Sequence, residues 1–96
     1  MHRITTTIKR EFLADIVRGD KKIEYRELKP YWTNKLAEVS TPFELHLING
    51  MSKTAPGVLV EVTKVRKNSR IRQYELHLGK ILKVKHWDRR REMPSA

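Results

Sequence analysis

Phe43, Leu45 and Leu47 alternate with Glu44 and His46, the period-two pattern of a half-buried strand. Val58, Val60 and Val62 alternate in the same way with Leu59, Glu61 and Thr63, which predicts a strand over residues 58–65. Gln73–Leu78 reads as another strand, broken or turned at Gly79, and Ile81–Lys85 continues the sheet. Thr5–Ile8 is β-prone and predicts the first strand, and residues 22–26 predict the second. Between these two the spacing becomes helical. Phe12, Leu13, Ile16 and Val17 fall on one face of a helix over Arg10–Arg18, and Gly19 sits where a left-handed residue ends it. Pro30 opens a second short helix running to Leu36. Asn49-Gly50 supplies a turn, residues 53–57 a loop, and Lys67–Arg70 an exposed connection. Five or six short strands, one helix after strand 1 and a second short helix predict an α+β fold. A small closed or partly closed β-barrel removes exposed sheet edges from such a set.

Ninety-six residues make one domain, assigned to residues 1–87; residues 88–96 are polar and basic and are expected to form a flexible tail. The chain has no cysteine, so neither a disulfide nor a thiolate metal site can form. No run approaches the roughly 20 apolar residues that span a bilayer, and the N-terminus lacks the apolar core of a secretory signal. The expectation is a cytoplasmic protein with no membrane partner, monomeric by default. Charge narrows the partner. Lys and Arg number 21 against 11 Asp and Glu, a formal net charge of +10. Residues 64–72 hold five cations (Lys64, Arg66, Lys67, Arg70 and Arg72) and no anion, and Arg89-Arg90-Arg91 follows. Neutralising phosphates releases counterions, so a domain this basic is expected to meet nucleic acid through those five side chains. An acidic protein partner is the alternative.

The candidate chemistry lies in Gly19-Asp20-Lys21-Lys22-Ile23-Glu24-Tyr25-Arg26. On a strand over 22–26, Lys22, Glu24 and Arg26 share one face while Ile23 and Tyr25 share the other. Cation, anion and cation in a row suit a polar ligand; a solvated face with cross-strand ion pairs is one competing reading, and Glu24 and Arg26 pairing with each other or with neighbouring strands to close the barrel is another. Glu24 is the best general base, Lys21 can stabilise an oxyanion or a phosphate, and Arg26 offers a planar fork for bidentate contacts. Tyr31 and Trp32 either stack on bases or cap the core. His46 and His77 lie on separate strands with no thiolate and no close His/Asp pair, so no metal and no cofactor is expected.

The order of strand, helix ending in glycine and then Lys-x-x-Glu-x-Arg (Lys21, Glu24, Arg26) resembles the ASCH (activating signal cointegrator homology) domain of the PUA-like superfamily. Residues 28–32, 49–56 and 76–82 are similar to a small bacterial and phage-borne subgroup, and the resemblance covers residues 4 to about 85. It implies a pseudo-barrel with a cleft beside the first helix that holds RNA or a modified nucleoside. It brings the loop carrying Asn49, Ser52 and Lys53 near that cleft, where they would read a base edge or a phosphate. Some ASCH proteins are ribonucleases, and others are amidohydrolases that deacetylate acetylcytidine with a Lys–Thr–Glu set. Lys21 falls on that lysine, but Glu24 stands at the threonine position. The short Arg66–Arg72 connection replaces the helical insertion that carries the family's glutamate. The leading expectation is therefore an RNA- or nucleotide-binding domain in which Lys22, Arg26, Tyr31, Asn49, Ser52 and Lys53 contact ligand. Lys21 and Glu24 would be the catalytic pair of a metal-independent enzyme of the same fold.

Overall fold

The computed structural model describes residues 2–95; Met1 and Ala96, the last residue of the expected tail, lie outside them. Five strands form one curled sheet in the order β1-β3-β4-β5-β2, where β1 is Arg3–Thr7, β2 Ile23–Glu27, β3 Phe43–Ile48, β4 Gly57–Asn68 and β5 Gln73–Lys85. The fold is α+β. Helix α1 (Arg10–Arg18) follows β1 and the shorter α2 (Pro30–Ala37) follows β2. β1 runs parallel to β3 and every other pairing in this sheet is antiparallel. The sheet is a half-barrel: β1 and β2 are its two edges, and they do not pair with each other.

Alternation builds the inner face. Phe43, Leu45, Leu47, Val58, Val60, Val62 and Leu76 are buried on the concave side, against Leu13, Ile16 and Val17 of α1. Burying a side chain of this kind contributes about 1.5–3 kcal/mol, so the stripe on α1 is enough to hold the helix across the open side of the sheet. Trp32 and Trp87 join the same core. Phe12 does not. It is 41% exposed, at the margin of the helical stripe that the spacing assigned to the core.

Two departures from the expected strands share one cause. β4 continues to Asn68, so only residues 69–72 connect it to β5, and β5 runs unbroken through Gly79. The ladder between them shifts register between Leu59 and Val60, between Val60 and Val62, and between Val62 and Lys64. Such bulges add bend and twist without ending the pairing, which lets two long strands wrap into a half-barrel. Gly79 sits at one of these shifts because a Cβ there would lie 2.8 Å from Thr63 Cγ2. The glycine marks a close approach of two strands, where the sequence suggested a break.

The segment expected to be a flexible tail contains a two-stranded ladder of β6 (Trp87–Asp88) and β7 (Met93–Pro94). The Asp88 carboxylate accepts from the backbone N–H groups of Arg90 and Arg91, both at 3.0 Å, and Arg18 Nη1 donates to Glu92 at 2.9 Å. No helix among the described residues is long and apolar enough to cross a membrane.

Candidate functional site

The gap between the two edge strands becomes a cleft of about 920 Å³, within the usual size range of small-ligand sites. Its charged lining is Lys9, Lys21, Arg26 and Lys29 against Glu24 and Glu27, an excess of cations. Lys29 is paired with Glu27 at 2.8 Å, and that contact raises the lysine's pKa. At the floor lies Glu24, whose side chain is only 6% exposed. Arg26 Nη2 donates to its Oε2 at 2.5 Å, and Lys21 Nζ lies 3.4 Å from its Oε1. The solvated strand face offered as one reading of these residues is therefore not what forms: Glu24 and Arg26 point inward, paired with each other as the other structural reading expected, and Tyr25 is the exposed one.

Local structure explains how Lys21 arrives there. Gly19 adopts φ 88°, ending α1, and the N–H groups of Asp20 and Lys21 then turn back to donate to the Asp15 carbonyl at 2.9 and 3.1 Å. This fold-back holds Lys21 between two aromatic rings, with Nζ 5.1 Å from the Phe12 centroid and 5.4 Å from that of Tyr25. Arg26 has a different task. Its Nη2 also donates to the Thr7 carbonyl at 2.9 Å, joining edge β2 to edge β1, while its guanidinium carbon sits 5.2 Å from the Trp32 centroid. Arg26 Nε is buried and has no hydrogen-bond partner among the described residues.

Aromatic side chains form the rim. Phe12, Tyr25 and Tyr31 are exposed by 41%, 43% and 54%, and all three line the cleft. Tyr31 and Trp32, read together as stackers or core caps, divide the two roles: Trp32 is buried and Tyr31 is open, edge-on to it at 5.6 Å. Asn49 reaches the cleft, but its side chain is committed. Nδ2 donates to the Ile8 carbonyl at 2.9 Å, and Arg10 Nε approaches Oδ1 at 3.5 Å. Lys22 is exposed and turned to the other side of α1's end, beside Asp15 and Asp20. Ser52 and Lys53 line a separate hollow with His46, Lys83 and Lys85. His77 stands 3.9 Å from Glu75 on β5, far in the register from His46 on β3.

The five cations of residues 64–72 do not act as one patch. Lys67 lies across from Tyr74, which lies across from Arg26, so these three form one row on the inner face beside the cleft. Lys64 is opposite His77 and Arg66 is opposite Glu75, on the outer face, where β4 outruns β3 and leaves an open edge. Charged side chains on such an edge block pairing with another chain, which explains Lys64 and Arg66 without a ligand. Arg70 and Arg72 occupy the connecting turn next to Gln73, which itself lines the cleft.

Sequence reasoning did not place Phe12, Lys9 or Tyr25 at the site. Tyr25 was assigned to the face opposite Glu24, and this assignment of faces is correct. β2 is an edge strand beside an opening, however, so side chains from both of its faces border the same cleft. No family model, curated protein or solved structure matches the chain.

Proposed function

We propose that the chain is a single-stranded RNA-binding module of the ASCH kind, holding one nucleotide in the Lys21/Glu24/Arg26 cleft. The observation that carries the reading is the convergence of the three exposed Phe and Tyr rings, Phe12, Tyr25 and Tyr31, on a cation-rich cleft with a buried carboxylate at its floor. Aromatic faces stack on bases irrespective of sequence, and the surplus cations favour a phosphate. Glu24 would accept a hydrogen bond from an amino or imino group of the base in exchange for its contact with Lys21. Arg26 Nε supports the same reading: a buried donor without a partner costs about 1–3 kcal/mol, a poor choice if Arg26 only closed the fold. Lys67, Arg70 and Arg72 would follow the backbone as it leaves the cleft.

Fluorescence anisotropy with labelled single-stranded RNA, duplex RNA and duplex DNA at two salt concentrations tests this. The expected result is a preference for single-stranded RNA with affinity that falls steeply as salt rises. Lys67→Ala should weaken binding and flatten the salt dependence, whereas Lys64→Ala should do neither to the same extent. Equal, weak binding to all three nucleic acids would leave the net charge as the only cause. RNA cleaved during the titration, and left intact by Lys21→Ala, would move the assignment to a ribonuclease using the Lys21–Glu24 pair.

A further inference from the structure

We propose that the outer face of the sheet carries a second site, one that binds a phosphate group, built from Lys53, Lys83, Lys85, His46 and the Ser52 hydroxyl. These residues surround a hollow of about 440 Å³ on the side of the sheet away from the core. Three elements contribute to it. β3 supplies His46 and Ile48, the loop after Asn49 supplies Ser52 and Lys53, and the end of β5 supplies Lys83 and Lys85, with His86 beyond.

Register explains why the side chains converge. His46, Leu59 and Lys83 lie in one cross-strand row, and Ile48, Gly57 and Lys85 lie in the next. Gly57 is the gap in the second row. A Cβ there would stand 3.8 Å from His46 Nε2 and 2.9 Å from the Leu47 carbonyl oxygen. Without it, space remains open between Ile48 and Lys85 on the side facing the imidazole.

Charge supplies the second argument. No carboxylate lines the hollow, and Lys53, Lys83 and Lys85 make no ion pair among the described residues. Lysines on the outer face of a sheet are ordinarily solvated singly. Here three converge on one concavity with an imidazole at its wall, which suits a dianion with several acceptor oxygens. The positive field is felt by His46, whose pKa is lowered by burial first and then by Lys85 and Arg3. Arg3 is itself paired with Glu44 at 2.8 Å, so Lys53, Lys83 and Lys85 are the cations at the hollow without a carboxylate partner among the described residues. An anion seated here would act in the opposite sense and stabilise the protonated imidazole.

The test is an NMR titration of the full chain with pyrophosphate, following the ring signals of His46 and His86 at constant ionic strength. A saturable change at His46 is expected, with its pKa rising further than in matched sodium chloride. The Lys83→Gln/Lys85→Gln double variant should weaken that response on the order of tenfold or more, while keeping the wild-type dispersion of amide signals. Lys21→Ala should leave it unchanged, because Lys21 lines the cleft and not this hollow on the outer face. A short single-stranded oligonucleotide that displaces pyrophosphate from His46 would make the source a nucleic-acid backbone. Failure to displace it would make the source a free phosphate group. A response equal to that in chloride, or one unchanged in the double variant, would overturn the proposal.

Discussion

Arg26→Ala is expected to destabilise the protein by about 3 kcal/mol, measured by urea denaturation. The side chain is 17% exposed and holds three partners at once: the Glu24 carboxylate, the Thr7 carbonyl and the face of Trp32. Truncation leaves Glu24 buried with Lys21 as its one remaining cation, at the longer distance of 3.4 Å. An unpaired buried charge costs more than the intact pair contributes, which sets the size of the effect. The Thr7 contact adds a second consequence. β1 and β2 are edges without a ladder between them, and Arg26 is the side chain that spans the gap. Arg26→Lys keeps the charge but not the planar fork, so it should recover only part of the loss. A loss below about 0.5 kcal/mol, the range of ordinary surface substitutions, would mean that the buried cluster does not hold the two edges together.

Tyr31→Ala should weaken RNA binding by about 1–3 kcal/mol, roughly five- to two-hundredfold, with little change in stability. Tyr31 is 54% exposed, in a T-shaped contact with Trp32 and with the Lys35 ammonium 5.9 Å from its ring. Its removal therefore costs the core little and takes from the cleft the ring most open to a base. Phe12→Ala is a useful companion. Phe12 also steadies Lys21 at 5.1 Å, so its loss should lower affinity through both stacking and charge placement. Unchanged affinity in both variants would remove stacking from the account.

Much of the fold could be read directly from residue patterns. The alternation of Phe43, Leu45 and Leu47 and of Val58, Val60 and Val62 gave two of the three interior strands, and Gly19 gave the end of α1. These features are local, since side-chain period and left-handed propensity act within a few residues. Strand length was harder to read. The extension of β4 to Asn68 and the passage of β5 through Gly79 depend on a register shift between two strands, and neither strand carries that information alone. The site divided along the same line. Glu24 and Arg26 share a face and meet as strand alternation suggested, but the second cation on Glu24 is Lys21 of the Lys-x-x-Glu-x-Arg pattern and not Lys22, which alternation had placed in the row. Lys22 is not brought to that cleft because the fold-back after Gly19 delivers Lys21 there instead, and Ser52 and Lys53 are not because the 49–56 loop carries them to the outer face of the sheet. The basic run 64–72 looks continuous in one dimension, yet a strand sends its neighbours to opposite faces, and that separates Lys67 from Lys64 and Arg66.

The most direct test of the account is to map bound RNA on the protein by the backbone amide shifts of the labelled full chain during titration with a short single strand. Perturbations concentrated at Lys9, Phe12, Lys21, Tyr25 and Tyr31, extending to Lys67, are the predicted result. Perturbations spread over basic residues of both faces, with the cleft unmoved, would contradict it.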